Sequence, residues 1–147
     1  MNSPTWTRRW RRDQQTTNDE DKANKKILLV DDEADVIYTI KKVLENNGFV
    51  VDSYTDPTLA LFNFKAGLYD LLLLDIKMPE MSGLDLYQKI MEVDSNVKIC
   101  FITASELFYE EYRRLDAYQR LDKAYFIQKP IRTEELIHQL NEILYAQ

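Results

Sequence analysis

The sequence predicts an α/β fold in which five parallel strands alternate with five helices, (βα)5, and form a doubly wound sheet. Five short β-like runs recur along the chain, and amphipathic helical stripes fall between them. The first, third and fourth runs are apolar nearly throughout, as strands covered by helices on both faces must be. Repeated β-α order implies right-handed crossovers between parallel neighbours.

Taken in order, residues 1–24 are polar, lack a helical or strand period, and read as a flexible basic arm ahead of a domain at 25–147. The first strand is expected at Ile27–Val30. Val36, Ile40 and Val43 then follow i, i+4, i+7, with Gly48 where a C-terminal cap belongs. Phe49–Tyr54 is the second strand. Asp56-Pro57 pairs an N-cap with proline at the first helical position, and Gly67 is expected to close that helix. Leu71–Leu74 is the third strand, and Leu86, Ile90 and Val93 mark the third helix. Val97–Ile102 is the fourth strand, with a fourth helix beginning at Phe108, Tyr112 and Leu115. Tyr125–Ile127 is the fifth strand, and Leu136, Leu140 and Ile143 make the last helix after Thr133 as N-cap.

The chain has 147 residues, 45% of them hydrophobic and 30% charged, which suits one domain with a real core. No apolar run approaches the length of a membrane span. The single cysteine, Cys100, excludes a disulfide scaffold and a CxxC site, and lies in an apolar strand as inert packing. A soluble, cytoplasmic protein is expected. The net charge of −6 is uneven: residues 1–26 carry seven Lys/Arg against four acids, leaving twelve basic and twenty-one acidic residues beyond them. An acidic body argues against a nucleic-acid surface. Only the arm, WTRRWRR, interleaves arginine with Trp6 and Trp10 in a way that suits nucleic acid or an anionic membrane. Polar Asp13, Gln14 and Gln15 follow its arginines where an export signal needs an apolar stretch.

In open α/β sheets the ligand crevice lies beyond the carboxyl ends of the strands. There the chain places Asp31, Asp32 and Glu33 after the first strand, Asp75 after the third, Thr103 and Ser105 after the fourth, and Lys129-Pro130 after the fifth. Clustered carboxylates repel unless a cation compensates, and a hard divalent ion such as Mg²⁺ takes oxygen ligands. Asp32 and Asp75 are candidate direct ligands, with Asp31 holding a metal-bound water. Mg²⁺ held in this way usually serves a phosphate, to which Lys129 offers a positive charge and Thr103 a hydroxyl. Asp75 ends the most apolar strand and is the nucleophile candidate for an acyl phosphate. Alone, Asp31 and Asp32 would read as acids at a helix N-terminus and Lys129-Pro130 as a turn. His138 reads as a solvated helix residue, and Met78 and Met81 as loop packing.

The segments KKILLVDDE, LLLLDIKMPEMSGLDL, ICFITAS and FIQKPI resemble the receiver domain of two-component response regulators, over about Lys25 to Ala146. The resemblance implies a flavodoxin-like sheet of order 2-1-3-4-5 and a single-domain, chemotaxis-type regulator. It implies phosphorylation of Asp75 by a sensor histidine kinase or a phosphotransfer protein of a phosphorelay. Mg²⁺ would sit among Asp31, Asp32, Asp75 and the backbone carbonyl of Lys77. Lys129 would pair with the phosphoryl group, Thr103 would be the switch hydroxyl, and Phe126 the switch aromatic, without the hydroxyl of the usual tyrosine. Lys77 and Ser105 match positions that tune phosphoryl lifetime. Output to a downstream protein would pass through the face of the fourth helix, fifth strand and fifth helix. The stretch from Thr103 to Lys129 is longer than the pattern and holds Tyr109, Tyr112, Tyr118 and Tyr125 with Arg113, Arg114 and Arg120, which suits self-association.

Two other readings compete. A phosphatase of the haloacid dehalogenase type also uses an aspartate nucleophile, but Lys77 stands where its general acid belongs. A DNA-associated regulator would rest on the arm, since no helix-turn-helix output domain is expected after Gln147. The expectation is a phosphoacceptor with self-dephosphorylation rather than a dedicated enzyme.

Overall fold

The computed structural model describes residues 25–104 and 126–145. Five strands, β1 (Lys26–Val30), β2 (Val50–Tyr54), β3 (Leu71–Asp75), β4 (Lys98–Thr103) and β5 (Phe126–Gln128), form one parallel sheet in the order β2-β1-β3-β4-β5. Four helices are described: α1 (Ala34–Asn46), α2 (Pro57–Asn63), α3 (Gly83–Val93) and α4 (Thr133–Tyr145). Strand order and the doubly wound class agree with the sequence reading. The expected helix at Phe108, Tyr112 and Leu115, the basic arm and the Tyr/Arg stretch lie outside the described residues.

Alternation along the strands sorts the core into two layers. Ile27, Leu29, Leu71, Leu73, Cys100, Ile102 and Ile127 face α1 and α4. Leu28, Val30, Leu72, Leu74, Ile99 and Phe101 face α2 and α3. All four leucines of β3 are fully buried, each worth about 2 kcal/mol of transfer free energy. β3 is therefore the central strand, and it holds Asp75 at its carboxyl end.

Local signals place most ends correctly. Gly48 adopts φ +90° after α1, where its N–H donates to Glu45 O and that of Phe49 to Leu44 O. Leu44 and Phe49 are both buried, the apolar contact that accompanies this paired-bond termination. Asp56 caps α2 by accepting from Thr58 N at 2.9 Å, ahead of Pro57. Ser82 accepts from Asp85 N at 3.1 Å to start α3.

Four expectations are corrected. The buried face of α1 is Ile37, Ile40 and Leu44, with Val36 and Val43 only flanking it. Gly67 does not close α2, which ends at Asn63. It sits at φ +80° in the turn before β3 and donates to Asp94 Oδ2. Val93, the last residue of α3, is 56% exposed and not part of its buried face. Thr133 is the first helical residue of α4 rather than its cap. Among the described residues no helix is long and apolar enough to cross a membrane.

Candidate functional site

Strand register assembles the site. Val30 pairs with Leu74, so the next residues, Asp31 and Asp75, emerge side by side at the carboxyl edge. Asp75 pairs with Ile102 and Thr103 with Gln128, which brings Thr103 and Lys129 to the same edge. Lys129 N donates to Thr103 O at 2.7 Å, fixing the start of the β5–α4 loop, and the Lys129–Pro130 peptide is cis. By the same alternation, Asp31, Asp75 and Lys129 continue the α1/α4 side, whereas Thr103 and Phe126 continue the α2/α3 side.

Acidic ligand oxygens of Asp31, Asp32 and Asp75 lie within 4.8 Å of one another. Asp31 is fully buried and Asp75 nearly so, while Asp32 is exposed at the mouth. The Lys129 ammonium is 3.0 Å from Asp31 Oδ2, 3.7 Å from Asp75 Oδ2 and 3.9 Å from Glu33 Oε1. Asp31 Oδ1 accepts from Glu33 N at 2.9 Å. Its Oδ2 is buried and faces the Lys129 ammonium at 3.0 Å.

Electrostatics follow from this crowding. Burial raises the Asp75 carboxyl most, the negative charge of Asp31 adds to it, Lys129 opposes, and Asp32 contributes further. The result is a pKa of about 7 against an ordinary 3.8. For Lys129, burial works against the ammonium, but Asp31, Asp75 and Glu33 outweigh it and raise the pKa. One lysine thus faces three carboxylates. The donors are all hard carboxylate oxygens within 4.8 Å of one another, which fits a divalent cation such as Mg²⁺.

Other sequence candidates are distributed around this centre. Lys77 is exposed in the loop after Asp75. Thr103 is buried at the end of β4. Phe126 is half-buried and stacks on Phe101 with centroids 5.4 Å apart, and Tyr87 of α3 meets Phe101 edge-on at 5.6 Å. Ser105 lies outside the described residues. His138 is a solvated helix residue beside Glu142, and Cys100 is fully buried with its thiol pKa pushed up by burial.

Gly83 lies in the segment LLLLDIKMPEMSGLDL, where the sequence reading gives it no role. Its N–H donates to Ile76 O at 2.9 Å, and an added Cβ would overlap the backbone carbonyl of Asp75. Gly83 lets the first turn of α3 lie directly against the peptide of Asp75. A Gly83→Ala chain should therefore displace the loop at 76–82, lower stability by about 2 kcal/mol and weaken Mg²⁺ binding at least severalfold. Urea titration and Mg²⁺ titration check both; unchanged values would mean that the backbone absorbs the methyl group.

Comparison with known proteins follows the same lines. A sequence profile described as the response regulator receiver domain matches residues 27–141. The chain belongs to the response regulator receiver family. This receiver is 32% identical over 120 residues to chemotaxis protein CheY of Bacillus subtilis (strain 168), covering 81% of this chain and 97% of CheY. It is 34% identical over 112 residues to the transcriptional regulatory protein DltR of Streptococcus agalactiae, covering 76% of this chain and 48% of DltR. The receiver thus spans about half the length of that relative. Among solved structures it resembles response regulator protein TrrA of Thermotoga maritima. In complex with histidine kinase ThkA, TrrA gives a TM-score of 0.67 at 31% identity, covering 82% of this chain and 98% of TrrA. In complex with Mg(2+)-BeF it gives 0.66 at 30% identity, covering 82% and 99%. DltR and TrrA are named as regulators, and this chain carries the receiver domain of two-component signalling.

Proposed function

We propose that this receiver accepts a phosphoryl group on Asp75 from the phosphohistidine of a sensor histidine kinase or a phosphotransfer protein, and signals in the cytoplasm by changing its surface. The observation that carries this reading is the nearly buried Asp75 carboxylate at the end of the central strand, within 4.8 Å of Asp31 and Asp32 and 3.7 Å from the Lys129 ammonium.

In the forward step a carboxylate oxygen of Asp75 attacks phosphorus. The P–N bond breaks, and its electron pair leaves with the histidine nitrogen. The product is an acyl phosphate. In self-dephosphorylation water attacks the same phosphorus, the P–O bond to Asp75 breaks, and the carboxylate and inorganic phosphate result. Asp31, Asp32, Asp75 and the backbone carbonyl of Lys77 would hold Mg²⁺, which neutralises phosphoryl oxygens when bound. Lys129, paired with Asp31 before transfer, turns to the new phosphoryl charge. Thr103 offers it a hydroxyl, and Phe126 on the same side of the sheet couples that movement to the surface. Lys77 and Ser105, by their match to the family's positions, tune how long the group lasts. A change spreading from Thr103 and Phe126 to the face around β5 and α4 is what a downstream protein, or a second copy, would read.

Incubation with acetyl phosphate and Mg²⁺ tests the reading. Wild type should gain the mass of one phosphoryl group, and chelation of Mg²⁺ should abolish the gain. Labelling that persists after chelation would contradict it.

A further inference from the structure

We propose that residues 6–12 of this chain, WTRRWRR, dock in cis into the apolar groove between α1 and the β5–α4 loop. The groove is a cavity of about 320 Å³, walled by Val36, Ile40, Val43, Pro130, Ile131 and Leu136, with Asp35 and Lys129 at its polar end. Its volume is that of a small-ligand site with a mostly apolar lining, which suits an indole ring.

Three observations select the arm as occupant. The first is charge. Around this end of the molecule Glu33 and Asp35 stand exposed at the start of α1, and Glu134 and Glu135 in the first turn of α4. Against them, among the described residues, are Lys129, already paired with Asp31, and exposed Arg132. Lys41 and Lys42 line a different groove with Tyr38. The arm brings Arg8, Arg9, Arg11 and Arg12. The second is chemistry: the same seven residues carry two tryptophans for an apolar wall. The third is reach. Lys25 lies 5.7 Å over the Tyr145 ring at the end of α4, and α4 packs in the same layer as α1. The groove is one helix length away, about 20 Å, while the fifteen positions from Trp10 to Lys25 span up to about 50 Å when extended.

Trp6 and Trp10 are the two tryptophans of the chain, so indole fluorescence reports the arm alone. In the full chain, emission should be blue-shifted and acrylamide quenching about threefold weaker than in a synthetic peptide of residues 1–24, as for an indole set in an apolar wall. Val43→Glu and Ile131→Glu should return both to peptide values. Reversing Arg8, Arg9, Arg11 and Arg12 to glutamate should do the same without touching the core, which covers the case in which a groove variant fails its circular dichroism check. Peptide-like quenching in the unmodified chain would overturn the proposal. So would shielding indifferent to the arginine reversal, shielding lost on dilution, which assigns the arm to a second copy, or shielding that appears only with anionic vesicles. None of these readouts depends on phosphoryl transfer, so failure here leaves the reading of Asp75 untouched.

Discussion

A Lys129→Met chain, freed of divalent metal, should lose about 3 kcal/mol of stability at neutral pH, because it removes the cation that neutralises the buried Asp31 carboxylate. Asp31 has no exposed surface, and the Lys129 ammonium lies 3.0 Å from its Oδ2. Lys129 also lowers the Asp75 pKa, so its removal pushes that carboxyl higher still. The loss should shrink near pH 4, where the raised Asp75 carboxyl is protonated and no longer draws on the ammonium. Mg²⁺ should also reduce it, since a ligand of the folded state stabilises by mass action. Urea denaturation at the two pH values checks this, and a loss independent of pH would contradict it. The variant should still accept some phosphoryl group, but its amide-exchange response to phosphorylation should be blunted.

Asp75→Asn should do the opposite. Burial and the charge of Asp31 hold the Asp75 pKa at about 7, above its ordinary 3.8. A carboxyl raised on folding contributes stability that is present at low pH and lost as pH rises from about 4 to about 7. Asparagine keeps the shape without that penalty. The metal-free variant should match wild type near pH 4 and exceed it by on the order of 2 kcal/mol above about pH 8. Mg²⁺ should narrow the gap, since it compensates the charge that asparagine lacks. A variant less stable than wild type at alkaline pH would mean that the carboxylate is already compensated without metal.

Much of this was legible in the sequence because β3 and β4 are apolar on both faces and their polar successors must gather at one edge. The order of Asp31, Asp75, Thr103 and Lys129 along the strands was enough to place them together. The register of α1 was not: Val36, Ile37, Ile40, Val43 and Leu44 contain two overlapping stripes, and only the sheet beneath decides between them. Gly67 and Gly48 look alike locally and both adopt positive φ, but only Gly48 follows a helix closely enough to end it. Gly83 needed coordinates, since the atom it makes room for belongs to a strand end eight positions earlier. The stacking of Phe101 between Phe126 and Tyr87 was equally hidden, because an aromatic in an apolar strand reads simply as core.

The most direct test of the phosphoacceptor is to trap the phosphoryl group where it forms. Protein treated with acetyl phosphate and Mg²⁺ is reduced with borohydride, which converts an acyl phosphate to the alcohol, and mapped by mass spectrometry. The prediction is homoserine at position 75 and nowhere else, with no trapped product from the Asp75→Asn chain. An acyl phosphate recovered at Asp31 or Asp32, or labelling that survives in the Asp75→Asn chain, would contradict it.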